Sequence, residues 1–255
     1  MSFCRSLAIL GVIGLVTNSA HAATVIITPN KDNTLFQDLE GDVSNGAGTS
    51  LYIGRAGISG GNTVRRPVVA FSLAAIPAGA VIESVTLRVT QTSVAPNAPN
   101  FPITLHRLTA DWGEGASNSL DPGGLGAVAL AGDATWVNRF YATSDWTTPG
   151  GDFSATSSAS RIFTSATGNY TWDTTPDLVA DVQGWINNPS SNFGWLMLGD
   201  ESTTGVARKF NSREATSDVT RPTLTVNYSV PEPGIIGVLS AAGMIALARR
   251  WRIAT

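Results

Sequence analysis

The sequence predicts an all-β domain, a β-sandwich of the jelly-roll kind with one short capping helix, and three observations predict it. Hydrophobicity alternates residue by residue along several short segments, the mark of strands with one face buried. Gly- and Pro-rich turns separate those segments. Between residues 23 and 229 the chain is rich in Thr, Ser, Asn and Gly and holds only two lysines, Lys31 and Lys209.

The clearest strand runs from Val81 to Thr90. Its alternation puts Val81, Val85, Leu87 and Val89 on one face, interrupted by Glu83, and Ile82, Ser84, Thr86, Arg88 and Thr90 on the other. Further strands are expected over 24–28, 50–53, 67–71, 103–108, 195–198 and 223–228. Ile76-Pro77-Ala78-Gly79, Asp121-Pro122-Gly123-Gly124 and Pro149-Gly150-Gly151 supply turn chemistry between them. Many short strands joined this way close into a sandwich or jelly roll. The exception is one helix. Thr175 is a suitable N-cap, Pro176 suits the first helical position, and Asp177 complements the dipole. Leu178, Val182, Trp185 and Ile186 recur at helical spacing before Asn188-Pro189 stops the run, so this stripe is expected to face the core and cover one opening of the sandwich.

The two ends read differently. Residues 1–22 begin with Arg5, continue through an uncharged, largely apolar run from Leu7 to Val16, and end in Ala20-His21-Ala22. That is the pattern of a cleavable signal peptide, and the apolar run is too short for a bilayer, which takes about 20 residues. Cys4 precedes the run and so cannot carry a lipoprotein lipid. Cleavage after Ala22 removes the one cysteine and leaves His106 as the one histidine. A Cys/His zinc site is thereby excluded, and any Ser-His-Asp triad must pass through His106. Residues 23–229 hold 12 basic and 18 acidic residues, a formal charge of −6 without a long Lys/Arg run, which disfavours nucleic acid as a partner.

The tail, residues 230–255, starts with Val230-Pro231-Glu232-Pro233-Gly234, continues through a mostly apolar run from Ile235 to Ala248, and ends in Arg249-Arg250-Trp251-Arg252. As a helix this run measures roughly 21 Å, short of a hydrocarbon core near 30 Å, and the arginines favour cytoplasmic retention of its end. The three parts in this order resemble the PEP-CTERM sorting signal of exopolysaccharide-producing Gram-negative bacteria. The resemblance implies that Pro231-Glu232-Pro233 is a recognition element for an exosortase-type enzyme. It also implies that the hydrophobic tail helix is a transient inner-membrane anchor, and that the protein is exported to the cell surface or extracellular matrix.

Between the ends, a series of short motifs carries a second likeness. They are Asp32-Asn33-Thr34-Leu35, Arg66-Pro67-Val68-Val69-Ala70-Phe71, Val85-Thr86-Leu87-Arg88, Asp111-Trp112-Gly113-Glu114-Gly115, Thr135-Trp136, Pro149-Gly150-Gly151-Asp152-Phe153, Asn192-Phe193-Gly194, Phe210-Asn211-Ser212-Arg213-Glu214 and Arg221-Pro222-Thr223-Leu224. In this order the chain from about Val25 to Tyr228 resembles the DNRLRE domain, a jelly-roll family similar to carbohydrate-binding modules. The opening element here is Asp-Asn-Thr-Leu-Phe-Gln-Asp, without the arginine and glutamate that name the family. The likeness implies extracellular polysaccharide as the partner.

Sugar recognition needs exposed aromatic faces and polar or cationic groups beside them. Trp112, Trp136, Trp146 and Trp172 fall in or beside long polar, Gly-rich loops; Trp112, Trp136 and Trp146 are the expected sugar platforms, whereas Trp185 and Trp195 read as core. Arg65, Arg66, Arg208, Lys209 and Arg213 are the densest cations. Arg66 and Arg213 are candidates for an acidic sugar, the rival reading being pairs with Glu214 and nearby aspartates. Asp111 and Glu114 are conceivable as glycosidase carboxylates, but they suit loop bracing better, and His106 suits a structural role. No cofactor is expected. Structural calcium is possible, with Asp38, Glu40 and Asp42 the densest oxygen donors, although they fail EF-hand spacing. The expected function is non-catalytic polysaccharide binding or matrix association; a polysaccharide-cleaving lyase or hydrolase and a purely structural adhesion protein are the alternatives.

Overall fold

The computed structural model describes residues 20–231, except 39, 97 and 121–123. The expected signal peptide and sorting tail, with Glu232, Pro233, Arg249 and Arg250, lie outside them save for their inner edges. Residues Ala22–Ser229 form one compact unit, and no helix among the described residues is long and apolar enough to cross a membrane.

The described elements run in the order β1 (Ala20–Ile27), β2 (Lys31–Phe36), β3 (Val43–Ser44), β4 (Ser50–Arg55), β5 (Val64–Ala70), β6 (Val81–Val94), β7 (Phe101–Arg107), β8 (Ala127–Val128), β9 (Asn138–Phe140), β10 (Ser144–Asp145), β11 (Ala159–Phe163), β12 (Gly168–Trp172), α1 (Pro176–Asn187), β13 (Trp195–Leu198), β14 (Arg208–Asn211) and β15 (Thr223–Pro231). Eleven of the strands form one sheet in the order β1-β15-β6-β14-β4-β5-β13-β7-β11, with β12 on β6 and β2 on β5. Each expected strand corresponds to one of these, and Pro231 is the last residue of β15.

The sheet curls into two layers at β4. Ser50 to Ile53 pair with β14, and Gly54 and Arg55 pair with β5. Gly54 has φ +88, and an added Cβ would stand 3.2 Å from the Asp200 carbonyl oxygen. A side chain would be strained and crowded there, so glycine is what allows the strand to turn between layers. The interior is aliphatic and aromatic: Ile53, Val85, Leu87, Ile103, Leu105, Phe163, Trp172, Leu224 and Val226 are each fully buried.

β6 corrects the sequence reading at its start. Asn227 of β15 opposes Ser84, but the next residue, Tyr228, opposes Ile82, so Glu83 is left over as a bulge. A one-residue bulge reverses the faces beyond it. Ile82 therefore enters the core at 5% exposure, and Val81, expected inside, is 50% exposed. From Ser84 onward the alternation holds as read.

α1 follows its sequence signals closely. The Thr175 hydroxyl accepts from Leu178 N at 3.0 Å, Pro176 opens the helix, and Leu178, Val182, Trp185 and Ile186 are buried. Asp181 pins the helix to the sheet: its carboxylate accepts from Trp195 Nε1 at 2.9 Å and pairs with Arg107 at 3.1 Å.

Because the bulge decides which residue fills the core, Ile82→Ala is expected to cost about 2–5 kcal/mol. Val81→Ala should stay within about 0.5 kcal/mol. Urea midpoints compare the two; equal losses would contradict the bulged register.

Candidate functional site

The motif residues converge on one charged cluster. Asp32 and Asn33 open β2, Glu114 lies in the loop after β7, and Arg213 and Glu214 follow β14. The Arg213 guanidinium donates to both Glu114 oxygens, from Nε at 2.5 Å and from a terminal nitrogen at 2.7 Å. Its Nε also lies 2.8 Å from Glu214 Oε1. Backbone amides complete the ties: Arg213 N donates to Asp32 Oδ2 at 2.7 Å, and Asp32 N donates to Glu114 Oε1 at 2.8 Å. Beside it, the fully buried Asn33 side chain donates to Ser44 Oγ and to the Glu114 carbonyl, and accepts from Asn45 N.

Electrostatics follow from three carboxylates sharing one guanidinium. Burial, then the neighbouring Glu214 charge, holds the Asp32 carboxyl well above its usual range. Burial likewise raises Glu214, opposed by Arg213. The hydrogen bonds that Arg213 donates to Glu114 raise Arg213 in turn. Asp32, Glu114 and Glu214 are the one described group of three metal-capable side chains, with one ligand atom of each within 4.8 Å of the others. The donor set does not fit calcium, which takes six to eight oxygens: both Glu114 oxygens are committed to Arg213, and Arg213 already supplies the compensating charge. Asp38, Glu40 and Asp42 do not form such a group; Asp38 Oδ2 instead accepts from Asp42 N at 3.3 Å.

The expected sugar platforms are elsewhere and are buried. Trp112 is 1% exposed, Trp146 4% and Trp136 9%. All three belong to one apolar cluster with Leu35, Val68, Leu108 and Leu196. Trp112 Nε1 donates to the Phe193 carbonyl, Trp146 Nε1 donates to the Thr135 carbonyl, and the Lys31 ammonium lies 4.4 Å above the Trp112 ring. These rings cannot stack on a saccharide. The loops that carry them are long enough to bury a core of their own, which their polar composition concealed. Trp172 is buried too.

The cations are engaged in the same way. Arg66 grips Glu201 with two nitrogens at 2.7 and 2.9 Å, donates to the Gly150 carbonyl and lies 4.7 Å over Trp136. Arg65 is held by the carbonyls of Thr63, Gly60 and Gly124. Arg208, 1% exposed, donates to the carbonyls of Pro99, Phe163 and Thr164. The pairing of Arg213 with Glu214 follows the rival reading of the sequence. Arg66 and Arg213 thus serve the fold, and neither presents a free guanidinium to an acidic sugar.

Asp111 and Glu114 act as braces: Asp111 accepts from Lys31 Nζ at 2.7 Å and from Trp112 N at 2.9 Å. His106, 8% exposed, has Nδ1 2.9 Å from the Ser154 carbonyl and Nε2 3.0 Å from Thr104 Oγ1. Sequence reasoning missed that Asp32 meets Glu114 and Glu214. Asp32 stands in the polar half of β2, between Lys31 and Asn33, so no local pattern marked it.

No protein-family model matches the chain, and no curated protein matches it either. What the fold and cluster define is a class: an all-β, two-layered domain with one helix, its loops locked by an arginine–carboxylate network.

The raised carboxyls have a sign. In the folded chain they keep protons that the unfolded chain releases near pH 4, so their contribution to stability is present in acid and fades as pH rises through the folded values. Asp32→Asn removes that penalty. Its stability relative to wild type is expected to be more favourable at about pH 7 than at about pH 5. Arg213→Met should show the same pH dependence in the opposite sense, losing about 2–3 kcal/mol at neutral pH and less in acid. Denaturant midpoints at both pH values check each.

Proposed function

We propose that this is an exported, non-catalytic protein whose jelly-roll domain binds, or is embedded in, extracellular polysaccharide at the surface of a Gram-negative bacterium. In this reading a signal peptide and a PEP-CTERM-type tail deliver it, with an exosortase-type enzyme as processing partner and a transient membrane hold.

The observation that carries the binding reading is the outer face around β6. From Ser84 onward every second side chain faces outward, and the cross-strand neighbours match: Ser84 beside Asn227, Thr86 beside Thr225, Thr90 beside Asn169. These side chains are half-buried or exposed, and several already bond to one another, as Asn227 Nδ2 does to Ser84 Oγ and Thr90 Oγ1 to Asn169 Oδ1. Arg88 stands in the same row and donates to Thr223 Oγ1 and the Val219 carbonyl. The result is an array of hydroxyl and amide groups around one committed arginine, a surface that can exchange hydrogen bonds with sugar hydroxyls. The non-catalytic reading is supported by the engagement of His106, Asp111 and Glu114, which leaves none of them placed as a free acid or base.

Affinity electrophoresis of the purified protein against neutral and acidic polysaccharides tests this. Retention is expected, and Thr86→Ala with Thr225→Ala should weaken it several-fold while the unfolding free energy from urea titration changes by no more than about 0.5 kcal/mol per substitution. Retention on none of them would overturn binding, and looser biofilm in a deletion strain would then favour a structural matrix role. Release of reducing ends or unsaturated uronates would favour an enzyme. Mass spectrometry of secreted protein should give a mature N-terminus at Ala23.

A further inference from the structure

β1 stands at one end of the sheet order and has a single neighbour, β15, to which Thr24 Oγ1 adds a bond at Asn227 Oδ1. None of its residues 22–27 is buried, whereas every other strand of the eleven-stranded sheet buries at least one. The composition is nevertheless that of a covered strand, since Val25, Ile26 and Ile27 are three β-branched aliphatic residues in a row. Thr24 and Ile26 lie on the outer face with Asn227, where Ile26 is 69% exposed. Val25 and Ile27 are half-buried on the inner face.

The far edge of β1 presents backbone N–H and C=O groups that have no ladder partner among the described residues. Native sheets guard such edges with charge, proline or a covering segment. Two other edges of this sheet are guarded. β11, at the opposite end of the order, carries the exposed Arg161. β2, paired with β5 alone, has its Asp32 amide taken by the Glu114 carboxylate and its Asn33 side chain bonded to the Glu114 carbonyl. Residues 23–28 of the β1 segment hold no charged side chain and no proline.

We propose that β1 pairs antiparallel with β1 of a second copy of this chain, joining two sheets across a two-fold axis. Three observations select that occupant. The exposed run is aliphatic on both faces, so its partner must offer aliphatic side chains above and below one extended strand. A second β1 does so, with Ile26 meeting its counterpart's outer face and Val25 and Ile27 the inner one. The run is also an uncharged stretch of a domain whose residues 23–229 carry a formal charge of −6, so two copies meet there without setting like side-chain charges together. Finally, isologous pairing uses up the free edge of both copies and closes. Head-to-tail pairing of β1 on β11 would bring the aliphatic run against Arg161 and leave an edge open for further addition. The backbone ladder supplies the attraction, as in other cases of strand addition to a sheet edge.

Sedimentation velocity of the purified secreted protein over a concentration series tests this. A monomer–dimer equilibrium is expected. Ile26→Lys, at an exposed site, removes an aliphatic pair and sets like charges opposite, and should raise the dimer Kd about tenfold. Ile26→Thr keeps a β-branched residue and should weaken the dimer less. Ile162→Lys on β11, also at an exposed site, should leave it unchanged. Hydrogen exchange of the unaltered protein should show the β1 amides slowing as concentration rises, which reads the pairing even where a variant misfolds. A monomer at every concentration, a dimer indifferent to Ile26→Lys, or β1 amides that exchange at one rate throughout would overturn the proposal. Protection of those amides by polysaccharide in a chain that stays monomeric would overturn it too, and would assign the edge to that ligand.

Discussion

Everything in the loop layer depends on one guanidinium among three carboxylates. Two charges taken out of water need close geometry and extra hydrogen bonds to hold. The cluster supplies both, with Glu114 gripped twice by Arg213 and Asp32 capped by a backbone amide. Its members come from the start of β2, the loop after β7 and the loop after β14, separated by 82 and 181 residues along the chain. Bringing such distant segments together carries a loop-closure cost that the surrounding fold must offset. The cluster acts as a latch between them.

The latch explains why the tryptophans are inside. Asp32 and Asn33 fix the Glu114 loop against β2, and the adjoining Lys31 ties Asp111 and the Trp112 carbonyl to the same strand. Once those polar ends are fastened, the Trp112 ring has nowhere to go but the cluster it shares with Trp136 and Trp146. Arg66, stacked on Trp136 and gripped by Glu201, closes that cluster from the side. At Gly150, beside it, an added Cβ would stand 2.5 Å from Arg66 and 2.8 Å from Trp136, so the Gly-rich stretch is a packing requirement.

What the sequence made legible were local and periodic features. β6 from Ser84 onward follows its alternation, and α1 begins at its Thr175 cap with its four apolar residues buried. Both are written in neighbouring residues. The bulge at Glu83 escaped because its cause is the opposing strand, where Tyr228 skips to Ile82. The burial of Trp112, Trp136 and Trp146 escaped because composition measures polarity along the chain, whereas burial depends on what folds back over it. The meeting of Asp32 with Glu214 is a long-range pairing that no local pattern encodes.

The same accounting limits what the outside can recognise. Arg65, Arg66, Arg208 and Arg213 are each held by oxygens of the protein itself, while residues 23–229 are formally negative by six charges. A polyanion approaching this surface meets a net field of its own sign, and four of the cations that might have attracted it are already committed. The side chains that remain outward on β6 and its neighbours are mostly hydroxyls and amides, and Arg88 among them donates to Thr223 Oγ1 and the Val219 carbonyl. Hydroxyls and amides discriminate by hydrogen-bond geometry rather than by charge. This distribution of charge is the physical reason the proposed polysaccharide partner is taken as neutral and hydroxyl-rich.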